Sequence, residues 1–240
     1  MIRTLFAVAL GFAALAAIAA PIPKESQEPG PPTEKQLEDS RDNLKRIGRA
    51  FRGYHDLNGV TPNNTADKDG KALLSWRVLI LRGLDEEKLY DEFKFDEPWD
   101  SKANKALIAK IPKVYQPVRV KAEKGETFYR GFTGADTPFE RGKRSKIPQS
   151  FPDGTSNIIL AVEAGVSCVW TKPDDLPFDD EKPLPKLGGL FDGDFHALLV
   201  DGSVFSGKSA RVDPVHFKHM ITVADGFVVD RGAALGTGKK

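Results

Sequence analysis

The stretch at residues 33–59, TEKQLEDSRDNLKRIGRAFRGYHDLNG, carries the strongest structural signals of the chain. It opens with a capping box, in which the side chains of Thr33 and Gln36 each accept a hydrogen bond from the other residue's backbone N–H. It closes on Asn58 and Gly59, a pair typical of a helix C-terminus. These signals predict one long helix.

An apolar stripe with heptad-like spacing runs along one face of this predicted helix. Its members are Leu37, Leu44, Ile47, Phe51 and Tyr54. Ser40 is the one polar gap in the stripe, whereas charged residues such as Arg49 occupy the other faces. Because a narrow apolar stripe is stable only when it is covered, we expect the helix to bury these residues against a sheet.

Residues 61–112 predict a polar loop at 61–70 followed by short helical segments. The segments are 76–84 capped by Ser75, 86–93 capped by Asp85, and a third that begins at Ser101 and ends before Pro112. From residue 114 the character changes, because 114–120 and 127–133 are rich in β-branched and aromatic residues. These two stretches predict strands.

Two Asp-Gly dipeptides organise the second half of the chain. Asp153-Gly154 precedes an apolar run at 158–162, which predicts a central strand covered on both faces. Asp201-Gly202 joins two apolar runs and predicts a two-residue type I′ hairpin that pairs Leu199 with Val204.

The remaining segments carry weaker signals. Residues 172–189, KPDDLPFDDEKPLPKLGG, hold four prolines and predict a long irregular loop. Residues 213–220 predict a short helix with Pro214 in its first turn. We expect residues 231–240 to form a disordered tail.

The N-terminus has the layout of an export signal, with Arg3 ahead of an apolar run and Ala17-Ile18-Ala19 as a small-x-small cleavage pattern. We expect cleavage after Ala19 and a proline-rich tether at 20–32. The alternative is an uncleaved membrane anchor over residues 5–22, since the run approaches the length that spans a bilayer.

Taken together, these elements predict an α+β fold, with a long N-terminal helix packed on an antiparallel β-sheet, in a single domain over residues 33–230. The chain has 35 Lys plus Arg against 34 Asp plus Glu, a balance that gives no electrostatic signature of nucleic-acid binding. Cys168 is the single cysteine, so no intramolecular disulfide forms, and its apolar surroundings predict a buried thiol.

Six motifs in order make the chain resemble a known family. They are HDLNGVTP, LSWRVLILRGLDEEKLYDEF, DEPWDSKANKALI, FPDGTSNIILAVEA, VWTKPDDLPFDDEKPLPKLGG and FHALLVDGSV. The chain resembles, from about Leu37 to about Gly226, the planctomycete family of domains of unknown function 1559, which is distantly similar to type II secretion pseudopilins. The resemblance implies a pilin-like fold and no established activity. Members often carry a prepilin leader with a Glu after Gly-Phe; here Gly11-Phe12 is present but no acidic residue follows in the apolar run.

The four histidines are the first candidates for chemistry. His55 closes the first helix, His196 precedes the hairpin, and His216 and His219 are three residues apart, a spacing that can direct two nitrogens at one ion. Two ligands do not complete a metal site, so we predict no metal and no cofactor, and we expect no dyad between His196 and Asp201.

Three further patterns favour ordinary structure over chemistry. Residues 67–70 resemble part of an EF-hand loop but lack its first and last acidic ligands, so we expect a solvated turn. Ser156 has no neighbouring base, and turn capping by Thr155 and Ser156 accounts for that segment. An acidic run over residues 86–100 predicts a solvated face, with docking of a partner as the alternative.

The sequence therefore predicts an exported, noncatalytic envelope protein that acts through contacts with envelope proteins, in the periplasm or the cell envelope. One alternative is an extracytoplasmic metal-dependent hydrolase that uses His196, His216 or His219. The other is a glycan- or solute-binding module that stacks its ligand on Trp76, Trp99 or Trp170.

Overall fold

A computed structural model of the chain describes residues 30–120 and 122–238. The predicted signal segment at 1–19 and most of the predicted tether at 20–32 lie outside these residues. Among the helices within the described ranges, none combines the length and the apolar character needed to cross a membrane.

The long N-terminal helix is confirmed as α1, Glu34–Asn58. Its capping box is complete, because the Thr33 N–H donates to Gln36 Oε1 at 2.9 Å and the Gln36 N–H donates to Thr33 Oγ1 at 3.2 Å. At the other end Gly59 adopts a left-handed conformation with φ of 71° and donates its N–H to the His55 carbonyl.

Short helices follow α1 much as the sequence predicts. They are α2 at Trp76–Leu79, α3 at Glu87–Glu92 and α4 at Lys102–Leu107, with 3-10 turns at Leu81–Leu84, Ile108–Lys110 and Lys113–Tyr115. Ser75 and Ser101 cap α2 and α4. Asp85 does not cap α3, because it has φ of 63° and terminates the preceding 3-10 turn, and Glu86 precedes α3 without a side-chain cap.

Six strands form one antiparallel sheet of four strands and one pair. They are β1 at Glu126–Arg130, β2 at Phe132–Thr133, β3 at Ile159–Val169, β4 at Leu176–Pro177, β5 at Asp194–Leu199 and β6 at Val204–Lys208. The larger sheet has the order β1-β3-β5-β6, and β2 pairs with β4 in parallel. The mixed helix-and-antiparallel-sheet class is confirmed.

Both faces of the large sheet are covered, as predicted for the run at 158–162. Helix α1 lies on one face, where Leu44, Ile47 and Phe51 share an apolar cluster with Leu198. Gly48 brings the helix close to the sheet, since a Cβ at this position would lie 2.8 Å from a Leu198 methyl group. Tyr54 and Leu37 are only partly buried.

The opposite face packs against two short C-terminal helices, α5 at Pro214–His219 and α6 at Arg231–Ala234. The prediction of a disordered tail at 231–240 is wrong for residues 231–235. Ala234 and Leu235 are buried in a second apolar cluster, which also contains Phe195 of β5 and Phe217 of α5. Helix α5 begins at Pro214 as predicted, and the Asp213 side chain caps it.

The predicted strand at 114–120 is wrong. Lys113–Tyr115 forms a 3-10 turn and the rest of the stretch has no regular structure. Pro117 explains the difference, because a proline in the middle of a strand removes a ladder donor. The irregular loop at 172–189 is largely as expected, except that it contributes β4.

The hairpin after β5 forms, but its predicted register is wrong by one residue. Leu198, not Leu199, pairs with Val204. The Gly202 N–H bonds to the Leu199 carbonyl, and Gly202 alone in the turn has positive φ, at 90°. This is a three-residue loop with a glycine bulge, which does not require the positive φ at Asp201 that a type I′ turn needs.

Candidate functional site

Strand alternation places two ionisable residues on the sheet face that α1 covers. In β5, Phe195 and Ala197 pack on the α5 side, so His196 between them faces α1. In β3, Val162 and Ala164 likewise pack on the α5 side, and Glu163 faces α1. Both side chains are almost completely buried, Glu163 at 0% exposure and His196 at 2%.

Ser40 of α1 contacts this pair directly. Its hydroxyl donates a hydrogen bond to Glu163 Oε1. Because a serine has one hydroxyl hydrogen, Ser40 accepts the 2.7 Å bond from the Tyr129 hydroxyl, whose oxygen in turn accepts from the Asn43 amide at 3.4 Å. Burial, reinforced by the nearby Glu163 carboxylate, raises the pKa of Tyr129, so its hydroxyl remains a donor.

His196 also forms hydrogen bonds with the Glu163 carboxylate. Its backbone N–H donates to Glu163 Oε2 at 2.8 Å, and its ring Nδ1 lies 3.2 Å from both carboxylate oxygens. A carboxylate that only accepts requires the hydrogen of the ring to be on Nδ1. The rings of Phe191 and His196 form a T-shaped pair, with 5.8 Å between the centroids.

Ser40, Glu163 and His196 together are the buried centre. In a catalytic triad the histidine contacts both the acid and the serine, so that it can take the serine proton. In the buried centre Ser40 and His196 each contact Glu163, and His196 makes no hydrogen bond to Ser40. A substrate also cannot reach three side chains with at most 2% exposure. The arrangement joins α1 to the sheet and does not activate a nucleophile.

A second buried polar cluster surrounds Asp175, which is fully buried with Arg77. Four donors bond to its carboxylate: Arg77 Nη2 at 2.9 Å, Asn64 Nδ2 at 2.7 Å, Trp76 Nε1 at 3.2 Å and the Gly131 N–H at 3.0 Å. Burial disfavours the charge, but Arg77 and the other donors outweigh it and lower the pKa of Asp175. The cluster fixes the start of α2 to the loop that leaves β1.

The predicted pair His216 and His219 forms contacts of a different kind. His216 Nδ1 accepts the Asp230 N–H at 3.0 Å, whereas His219 Nδ1 lies 2.8 Å from Asp225 Oδ2. Both rings contact Phe227, and His219 stacks on it at 3.8 Å. The two nitrogens therefore have separate partners and do not converge on one point.

His219 and Asp225 line a cleft of about 430 Å³. Partial burial opposes the charge of Asp225, but hydrogen bonds from Thr222, His219 and the Phe227 N–H lower its pKa. Thr222 donates its hydroxyl to Asp225, so this hydroxyl is not directed at His219. Within residues 30–120 and 122–238 no group of three His, Cys, Asp or Glu side chains is placed to hold a metal ion.

The remaining sequence candidates lie in structural positions. His55 contacts Asp56 at 3.1 Å and accepts the Ile147 N–H. Cys168 is buried, and burial raises the pKa of its thiol. Asp67 accepts the N–H groups of Asp69 and Lys71 in a tight turn.

The segment after Gly154 is a turn, but its cap differs from the prediction. The Asn157 side chain donates to the Asp153 carbonyl at 2.8 Å. The Asp153 carboxylate in turn accepts the N–H groups of Asp225 and Gly226. The capping therefore comes from Asn157 and Asp153 instead of Thr155 and Ser156.

The stacking platforms proposed from the sequence are mostly inaccessible. Trp76 and Trp170 are fully buried in the main apolar cluster. Only Trp99 is partly exposed, and the Lys172 ammonium lies 5.7 Å from its ring centroid. A ligand therefore cannot stack on Trp76 or Trp170.

The sequence analysis did not single out Glu163 or Asp175, although Glu163 had a signal. Glu163 is a charged residue inside the apolar run that forms β3, and Ser40 is the gap in the stripe of α1. When two polar residues each occupy a position where an apolar residue is expected, a contact between them is predicted. Asp175 lies in a loop full of acids, where nothing separates a buried acid from exposed ones.

Comparison with known proteins identifies one relationship. A family model with the description "Protein of unknown function (DUF1559)" matches residues 39–169. This range includes α1 from residue 39 onward together with β1 and β3, and with them Ser40, Tyr129 and Glu163. No curated protein and no solved structure matches the chain.

Proposed function

Because this chain belongs to the DUF1559 family of proteins of unknown function, its role is inferred from its own residues, and we propose that it is an exported, noncatalytic envelope protein of pseudopilin-like architecture that acts through protein contacts. The long helix on an antiparallel sheet supports the architecture. The export layout of residues 1–19 supports the location.

The observation that carries the proposal is the contrast between the buried centre and the surface. The side chains best suited to acid–base chemistry, Glu163 and His196, are sealed between α1 and the sheet. The described surface instead exposes apolar side chains beside α5. Val215 is 56% exposed, Phe227 39% and Val228 89%.

We call Val215, Phe227 and Val228 the Phe227 surface. The ring of His216, next to Val215, lies 5.3 Å from the ring of Phe227. Helix α5 and the Phe227–Val228 segment are thus held together. Exposed apolar groups next to each other are typical of contact sites between proteins, and Phe is enriched in the centres of such sites.

The test is co-purification of the tagged full chain from native envelope, followed by mass spectrometry. The variant Phe227→Ser with Val228→Ser should lose a partner that the unmodified chain retains. Leu57→Ser is the matched control, because Leu57 is 87% exposed at the far end of α1 and is not part of the Phe227 surface. Identical sets of proteins from all three chains would contradict the proposal.

A hydrolase is the second candidate, favoured by the 2.8 Å contact between His219 and Asp225 in an open cleft. An aspartate that orients a histidine is a common arrangement in general-base catalysis. Incubation with Zn²⁺ and native mass spectrometry separates the two functions. Stoichiometric zinc that disappears in His219→Ala supports a metal-dependent hydrolase, whereas the absence of bound zinc supports a contact protein.

A further inference from the structure

A cleft of about 840 Å³ opens beside the C-terminal end of α1. Most of its walls come from the end of α1 with Tyr54, the loop at 60–72 and the loop at 139–144, and Leu79, Thr133 and Pro173 complete them. The volume lies within the range of small-molecule sites, roughly 300 to 1,000 Å³. The cleft is separate from the buried centre and from the Phe227 surface.

The lining of this cleft is strongly cationic. It includes Lys68, Arg141, Lys143 and Arg144 against the single acid Asp67. Asp67 Oδ1 accepts the N–H groups of Asp69 and Lys71, which holds this carboxylate against the backbone of its own turn. A chain with almost no net charge therefore concentrates positive charge in one concave site.

Three of the four cations have no carboxylate partner within the described ranges. Lys143 is paired with Glu140 at 2.9 Å. By contrast, no Asp or Glu oxygen of residues 30–120 and 122–238 lies within 4.0 Å of the charged groups of Lys68, Arg141 and Arg144. Arg141 spans the cleft and donates to the Gly70 carbonyl at 2.6 Å. Its remaining guanidinium donors are available to a ligand.

Uncharged groups complete the site. Tyr54 is half-buried at the cleft wall, and burial raises the pKa of its hydroxyl although Arg144 nearby opposes the change. Pro173 and Val60 add apolar surface. A phenol ring and a proline beside guanidinium groups suit a small organic molecule with an apolar face and a charged end.

We propose that this cleft binds an anionic organic solute of about the size of a disaccharide, through an oxyanion held by Arg141, Arg144 and Lys68. Guanidinium groups bind carboxylates and other oxyanions in a bidentate manner, which favours them over neutral ligands. The solute site goes beyond the protein contacts proposed above, since the two surfaces share no residue.

The test is isothermal titration of the full chain at low ionic strength with four probes: digalacturonate, citrate, inorganic phosphate and cellobiose. The anions should bind and the neutral cellobiose should not. Added salt should weaken the binding, because screening reduces the attraction between partly exposed charges. Digalacturonate should bind most tightly of the three anions, and equal binding of digalacturonate, citrate and phosphate would contradict a solute of disaccharide size.

The double variant R141Q/R144Q should bind the best anion at least about tenfold more weakly, which corresponds to about 1.4 kcal/mol. R49Q is the matched control, because Arg49 is an exposed arginine on α1 outside the cleft. Equal thermal melts of the three proteins would show that folding is intact. The proposal is overturned if no anion binds, if cellobiose binds as well as the anions, or if R141Q/R144Q keeps full affinity. The co-purification test of the Phe227 surface is independent of these results, so failure of the solute site would not contradict the proposed protein contacts.

Discussion

Ser40, on the helix, donates its hydroxyl hydrogen to the carboxylate of Glu163, in the middle of the sheet. The two residues are 123 positions apart in the chain, so the bond joins the first element of the domain to its central strand. It is the polar counterpart of the apolar contact between Phe51 and the core. Both contacts fix the rotation of α1 about its own axis relative to the sheet.

Ser40→Ala should lower the free energy of unfolding by about 1 to 3 kcal/mol, because the buried Glu163 carboxylate and the Tyr129 hydroxyl each lose a partner. Asp42→Ala on the exposed side of α1 is the control and should change stability by less than about 0.5 kcal/mol. Urea unfolding of the two variants measures the difference. Equal midpoints would mean that the Ser40 bond is absent in solution.

Phe51→Ala should cost about 3 to 5 kcal/mol, because it removes a fully buried aromatic ring from the main cluster. In that cluster the ring lies edge-on to both Trp76 and Phe139. Arg49→Ala, two residues away on the exposed side, should change stability by less than about 0.5 kcal/mol. If both substitutions proved equally mild in thermal melts, α1 would not be packed on the sheet.

Asp175→Ala should destabilise the domain by about 3 to 5 kcal/mol, because it leaves the guanidinium of Arg77 buried without a counter-charge. Asp179→Ala, in the same loop, is the control. Asp179 is 44% exposed and its partner Lys182 is 74% exposed, so the loss of this pair should cost far less than the loss of the buried one. Similar losses in chemical unfolding would show that the Arg77–Asp175 pair does not stabilise the fold.

The same residue gives a pH dependence. The pKa of Asp175 is lowered in the folded state, so the contribution of its charge is complete above the unfolded value of about 3.9 and is lost as the pH falls through the folded value. The stability difference between the unmodified chain and Asp175→Asn should therefore be constant from about pH 5 upward and shrink below about pH 4. Unfolding curves at several pH values check this, and a difference that does not change with pH would contradict it.

Gly202→Val should destabilise the domain by about 1 to 3 kcal/mol, because a β-branched residue adopts positive φ only with strain. The space around Gly202 is otherwise open, so the cost comes from the backbone alone. Gly53→Ala in α1 is the opposite control, since that position is helical and also open, and the change should stabilise the protein by about 0.5 to 1 kcal/mol. Shifts of equal sign in thermal melts would contradict the turn geometry.

Local signals predicted most of the fold. The capping box at Thr33, the glycine stop at Gly59 and the apolar run of β3 each depend on nearby residues, and each appears where the sequence places it. The hairpin register depends on whether Asp201 or only Gly202 adopts positive φ, and the Asp-Gly dipeptide is compatible with both. The prediction of a disordered tail was wrong because residues of β3 and β5, which are distant in sequence, pack around Leu235.

The candidate sites were harder to predict from the sequence than the fold. The contact between Ser40 and Glu163 requires the register of α1 on the sheet, which no local pattern specifies. The cationic cleft likewise joins Lys68 to Arg141 through the fold and not through spacing along the chain. The histidines stood out by residue type, yet their roles depend on partners such as Glu163 and Asp225.

Determination of the N-terminus of the protein from fractionated native cells tests both export and release. We expect a periplasmic or envelope protein that starts at Ala20 or within a residue or two of it, because signal peptidase cuts after small-x-small sequences. A start at Phe12 would indicate pilin-type processing and contradict release, and an intact Met1 in the cytosolic fraction would contradict export itself.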